Sequence, residues 1–205
     1  MSPARDAPEY EMTKDVSLAA LDPDSLLDLK RTGACEFEIP EWFFDLDHPG
    51  HYLRRIRSVG VSIPMVSGPY RSGGGTITLV SSSIRVDAGS AHGYGRSALR
   101  PAEDRRFVDI GRASQGTVKS QDEIHGGLIE ANLAHERYLP FENHGVASRW
   151  RVTLIRSDGA VLFSVEDFIL HLRYTARDGG PALRRGAREA AAERRRIDPI
   201  DSWPP

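Results

Sequence analysis

The sequence predicts a mainly β protein: an antiparallel β-sandwich with a short N-terminal helix and a helical or disordered C-terminal tail. Three observations predict it. Apolar and polar residues alternate in five short runs, the period of a half-buried strand. The runs are separated by loops rich in Gly, Pro, Ser and Asp. Between them no amphipathic stretch is long enough for the crossover helix of a parallel sheet.

Residues 1–16 are polar, contain two prolines and show little apolar period, so they read as a flexible lead. A short helical segment follows over 17–33, with the helix itself at 22–32. Asp22 can cap it, Pro23 suits its first position, Lys30 and Arg31 sit near its negative end and Gly33 can close it. Leu26, Leu27 and Leu29 are expected on its buried side.

From residue 34 the period becomes two. Cys35, Phe37 and Ile39 form one dry face, Val59, Val61 and Ile63 a second, and Ile77 and Leu79 a third. Trp150, Val152 and Leu154, then Phe168, Leu170, Leu172 and Tyr174, give the last two strands. The span 87–121 predicts long loops and one short strand around Phe107, Val108 and Ile110. The sandwich is expected over 34–180. Residues 181–205 form an Arg- and Ala-rich tail, with six arginines against two glutamates over 182–197 on a helix-favouring background.

At 205 residues, 40% of them hydrophobic, the chain can bury one sizeable core. A net charge of −2 offers no general field for nucleic acid or anionic lipid. No stretch approaches the roughly 18 apolar residues of a membrane helix, and no secretory h-region follows the first residues. The one cysteine, Cys35, excludes an internal disulfide and sits on an apolar face as a small buried hydrophobe.

The densest chemistry is Asp45, Asp47, His48 and His51, two carboxylates and two imidazoles within seven residues. Such a set could bind a divalent metal and serve a hydrolase. Its spacing matches no closed metal site, and Pro49-Gly50 makes the segment a turn, in which Asp and His commonly cap the backbone. The structural reading is preferred: Asp47 and His48 hold the turn, and Trp42, Phe43 and Phe44 pin it to the sandwich. The Gly-rich run at 73–75 lacks the lysine and helix of a phosphate cradle. No Gly-x-Ser-x-Gly elbow marks a nucleophile. A carbohydrate-binding sandwich stays open and depends on whether Tyr70 and Tyr94 share one exposed concave face.

Three groups of literal runs carry a resemblance. They are YEMTK at 10–14 with SL at 17–18 and LDP at 21–23; PEWFFDLD at 40–47 with PGHYLRRI at 49–56 and GPY at 68–70; and ERYLPFE at 136–142 with LHLRYTAR at 170–177. Together they resemble the C-terminal TcB-binding domain of the A subunit of bacterial Tc toxin complexes, from about residue 10 to residue 180. The pattern departs from the family at RSGGGT, 71–76, and at SQDEIHG, 120–126.

The resemblance implies a β-sandwich at the end of a large pentameric subunit, receiving the β-propeller of the TcB–TcC cocoon. It implies a docking module with no active site, metal or cofactor. It also implies a protein made in the bacterial cytoplasm without a Sec signal and released as part of a toxin complex. The helical and pore regions that precede the domain in the family are not in this sequence, so the expected chain is a fragment, a separately encoded module or a component of another assembly. Alone it is expected to be a monomer or weak oligomer, with affinity limited by the loss of multivalency. The expected contact loops carry Tyr70 and Arg71, and Gln121 and Asp122, because an aromatic and an arginine most often anchor such interfaces.

Overall fold

A computed structural model of the chain describes residues 8–64, 73–89, 93–119, 128–132, 140–156 and 165–197. Two antiparallel sheets face one another. The first has the order β1 (Glu9–Ser17), β9 (Ile169–Asp178), β3 (His51–Pro64), β7 (Leu128–Asn132). The second runs β2 (Ala34–Ile39), β8 (Ala147–Arg156), β4 (Gly73–Arg85). Along the far edge of β4 lie β5 (Phe107–Ile110) and β6 (Ser114–Lys119).

The inward positions are those the alternation marks. Trp150, Ile77, Leu79 and Ile39 from the second sheet meet Leu170, Leu172, Tyr174, Val59 and Val61 from the first, and all are buried. Phe37 on β2 packs edge-on against Phe168 beside β9, with centroids 6.2 Å apart, so that pair joins the two layers. Leu154, expected in the core, is only half-buried and packs at its margin.

Four local expectations change. The lead expected over 1–16 is, from Glu9 on, an edge strand paired in register with β9, with Val16 opposite Leu170 and Met12 opposite Tyr174. The helical segment is two helices, α1 (Leu18–Leu21) and α2 (Pro23–Thr32). In α2, Asp22 caps Ser25 and Gly33 closes in the left-handed conformation at φ 80°. Leu26 and Leu29 are buried, but Leu27 is 50% exposed because one residue along a helix turns the side chain about 100° off the apolar stripe. Among the described residues of the span 87–121 there are two strands, β5 and β6, because the long β4 offers its free edge to both.

β3 also begins eight residues before the alternation expected at 59. Its buried inward positions are Tyr52, Arg54 and Ile56, then Val59, Val61 and Ile63, with Ser62 buried on the opposite face. The switch from even to odd follows a register shift between Ile56 and Ser58 against β9, a bulge that flips the face. The C-terminal helix α4 (Gly180–Ile197) buries Leu183 and Ala187. Its first turn lies on Gly50, where an added Cβ would come within 2.4 Å of the Arg184 main chain.

Candidate functional site

The short helix α3 (Glu41–Asp45) organises the region the sequence singles out. Glu41 and Asp45 stand four residues apart, on one face of its single turn. Asp45 is buried; its Oδ1 accepts from Arg54 Nη2 at 2.7 Å and its Oδ2 from the Tyr94 hydroxyl. Glu41 takes Arg85 in a two-point grip, from Nε at 2.7 Å and Nη2 at 2.8 Å. Arg54 belongs to β3 and Arg85 to β4, so one helical turn clips the two sheets together through two buried guanidinium groups.

The network carries two positive and two negative groups, which lets it tolerate its depth. Burial alone would depress the Arg54 guanidinium, but Asp45, and then Glu41, hold it above its ordinary value. Burial, then the carboxylates of Glu41 and Asp45, push the Tyr94 phenol well above its usual range. A void of about 30 Å³ touches Arg54 and Arg85, whose Nη1 atoms have no hydrogen-bond partner in the protein. It has room and polarity for one water.

The other turn residues diverge from Asp45. Asp47 is exposed and pairs with Lys14 of β1 at 2.5 Å. The His48 and His51 rings meet edge-on at 5.7 Å, and the His48 carbonyl accepts from Arg54 at 2.9 Å. Burial, then Arg54, lowers the His51 imidazole. Among the described residues no three His, Cys, Asp or Glu side chains converge as metal ligands do. The geometry ties the turn in through Asp45, and Arg54 is the partner the sequence reading did not name. Trp42 is half-buried, edge-on to Phe43 at 6.0 Å, with Arg194 of α4 over its ring at 5.6 Å.

Tyr94 is half-buried with its hydroxyl spent on Asp45 and Arg85 against its ring at 4.6 Å, so it is not a free stacking platform. Tyr70, Arg71, Gln121 and Asp122 lie outside the described residues.

A second polar chain crosses the outer face of the first sheet. His171 on β9 contacts Asp15 of β1 through Nδ1 at 2.7 Å and Ser62 of β3 through Nε2 at 2.7 Å. An ionised Asp15 can only accept, so Nδ1 donates to it, and in the neutral imidazole Nε2 then accepts from the serine. The order is that of a nucleophile, base and carboxylate. Yet Ser62 is only 8% exposed, on a strand paired on both sides, which commits the nearby N–H groups to ladders instead of an oxyanion hole. The chain ties the edge strand β1 to the middle of its sheet.

A cleft of about 710 Å³ lies between α3 and α4 on one side and β4, β5 and the segment at 94–96 on the other. Trp42, Tyr94, Phe107 and Ala190 line it, and its charged residues balance, Arg96, Arg149 and Arg194 against Glu38, Glu41 and Asp109, with Arg96 closed on Asp109 at 2.8 Å. Arg106 fixes the adjoining loop: it grips Asp104 at 2.9 and 2.7 Å and donates to the Gly93 and Gly95 carbonyls at 2.6 and 2.9 Å. Arg106 holds the Asp104 carboxyl well below the usual carboxylate range. The segment at 86–108 also carries Val86, Leu99 and Val108, all exposed, with Leu99 at 94%. These residues were missed because a loop arginine reads as solvated until its partners are known.

The described residues form a two-layer β-sandwich with a cleft whose charged lining holds three arginines and three carboxylates. The family follows from the sequence comparison. Residues 3–176 match the model of the Tc toxin complex TcA C-terminal TcB-binding domain, and the chain belongs to that family. It is 35% identical over 198 residues to toxin subunit YenA2 of Yersinia entomophaga, an alignment covering 89% of this chain and 14% of that protein. The chain is thus the counterpart of a small part of the relative's length.

Solved structures with a similar trace include the empty head of turnip yellow mosaic virus, at TM-score 0.37 and 8% identity, covering 87% of this chain and 85% of that one. Cocksfoot mottle virus follows at TM-score 0.37 and 9% identity, covering 91% and 93%. Overlaps this loose say nothing about function.

Proposed function

We propose that this chain is a non-catalytic docking module that binds the β-propeller of a TcB-like protein, the TcB–TcC cocoon, during toxin assembly and translocation. The observation that carries the proposal is membership in a family defined as TcB-binding, over residues 3–176. Physical features support it. The sandwich is stiff, its layers clipped by Glu41, Asp45, Arg54 and Arg85, so a surface held on it loses little freedom on docking. Among the described residues no helix is long and apolar enough to cross a membrane.

In an A subunit the module would be presented five-fold. Alone it is a monomer or weak oligomer, and each contact is weaker for the loss of avidity. Release from the bacterium would be as part of the complex. The test is co-purification of the chain, alone and displayed as a pentamer, with the TcB–TcC-like product of the same genome. Retention by both, stronger for the pentamer, is expected. No complex with either form removes the proposal.

A further inference from the structure

We infer that the open edge of β1 receives an extended strand of the TcB-like partner, added to the first sheet through main-chain hydrogen bonds, a placement that rests on the docking reading above. Register decides which groups are available. The Leu18 amide donates to the Phe168 carbonyl at 2.9 Å, and β1 pairs with β9 from Glu9 to Ser17 without a shift. Even-numbered residues therefore bond to β9, and Glu9, Glu11, Thr13 and Asp15 turn both N–H and C=O toward the open edge. Among the described residues none of these main-chain groups takes a hydrogen bond.

The edge strand of the second sheet is closed. The Leu154 amide donates to the Gly33 carbonyl at 2.7 Å, which turns Ala34 and Glu36 of β2 outward. There α2 covers them: Thr32 Oγ1 accepts from the Ala34 amide at 3.2 Å, and the Ser25 hydroxyl sits on the Glu36 carbonyl at 3.0 Å. β1 has no such cap, no bulge and no proline, the usual devices that blunt an edge.

The side chains select the occupant. With outward residues facing each other, any extended antiparallel register of β1 with a second β1 sets like charges opposite: acid against acid in all but one, and Lys14 against Lys14 in that one. The edge is thus guarded against its own copy but open to another sequence. Its outer side is acidic. Arg177 and Arg173 on β9 answer Glu9 and Glu11 at 3.9 and 2.9 Å, whereas Asp15, 71% exposed, meets His171, a ring charged only when protonated. The incoming strand accordingly carries a lysine or arginine opposite Asp15, and an apolar side chain on the other side, where Tyr10 is 45% exposed. Strand addition of this kind draws affinity from the main chain and specificity from alternate side chains.

The experiment is residue-resolved amide hydrogen exchange of the 205-residue chain, alone and with the TcB–TcC-like complex. Alone, the amides of Glu11, Thr13 and Asp15 should exchange fast and those of Met12, Lys14 and Val16 slowly; in the complex the first three should slow at least tenfold. The Thr13 amide makes no bond to β9, so Thr13→Pro spares the ladder and removes a donor from the edge. It should weaken binding tenfold or more, and Asp15→Lys at least threefold, whereas Leu27→Asp on α2 should stay within twofold. If the unaltered chain binds while the three outward amides stay fast, the edge is excluded and docking itself stands. Binding of that kind lost on changing Tyr70 and Arg71 to Ala moves the contact to their loop and likewise overturns the inference. Outward amides that slow with rising concentration of the chain alone assign the edge to a second copy and overturn it too. An unaltered chain that binds nothing removes the docking reading along with it.

Discussion

Replacing Asp45 with alanine should destabilise the protein far more than any other change in the turn at 45–51. Asp45 is 3% exposed and Arg54 4%, and they meet at 2.7 Å. Without the carboxylate, the guanidinium keeps its charge, loses its nearest counter-ion and stays under the sheet, while the Tyr94 hydroxyl loses its acceptor. Breaking one side of a buried pair costs about 3–5 kcal/mol. In a domain of this size that lowers the thermal midpoint by roughly 6–20 °C, or the urea midpoint by about 2 M. The control is Asp47→Ala, which removes an exposed partner of Lys14 and should cost about 0–1 kcal/mol. Urea unfolding followed by tryptophan fluorescence reads both. If Asp45→Ala unfolds within about 1 kcal/mol of the unaltered chain, α3 does not clip the sheets in the way described. Metal retained by the unaltered chain through a chelator wash, and lost equally in both variants, would instead restore the metal-site reading of Asp45, Asp47, His48 and His51.

Leu170 is fully buried between Val16 and Val61, so Leu170→Ala should cost about 2–5 kcal/mol in the same assay, and a loss below about 1 kcal/mol would contradict its place in the core. Burial, then Asp22 and Asp28, push the Cys35 thiol up to about 12, so the folded chain should resist iodoacetamide at pH 8 and react only on unfolding; rapid labelling of the native protein would refute this. Stability should fall in two stages on acidification. Burial lowers His51 and His144 in the folded state, helped by Arg54 and by Arg112 respectively, so the unfolded chain binds protons first and stability declines below about pH 6.5. The depressed carboxyls of Asp104, Asp109 and Asp178 contribute fully above the ordinary carboxylate value near 4 and are lost below it. Urea midpoints from pH 8 to pH 3 check both stages, and a flat profile would contradict them.

The sandwich was legible because its inward faces are written in period two. Phe37 and Ile39, Ile77 and Leu79, and Leu170 and Leu172 each declare a side without reference to any other strand. β1 was hidden because an edge strand needs only one dry residue in two, and here only Val16 is fully buried while Tyr10 stays wet. The start of β3 was hidden by its bulge, which sets Tyr52 and Ile56 on even numbers and Val59 and Val61 on odd ones.

Read from Tyr52 and Ile56 alone, parity would have put Arg54 inside and asked for a counter-ion, which Asp45 nine residues earlier supplies. Nothing local points from Glu41 to Arg85, 44 residues away in another sheet, so that half of the clip needs the fold. The cleft is likewise a product of assembly. Its walls are a basic tail and an arginine-rich loop that meet only because α4 folds back along α3, and neither stretch alone differs from a solvated surface.

Docking is tested most directly by sedimentation velocity of the chain, displayed as a pentamer, mixed with the TcB–TcC-like complex of the same genome at micromolar concentration. A single faster boundary holding both proteins, which separates again as salt rises, is the expected result. Two boundaries at the positions of the separate components, at every salt concentration, would contradict it.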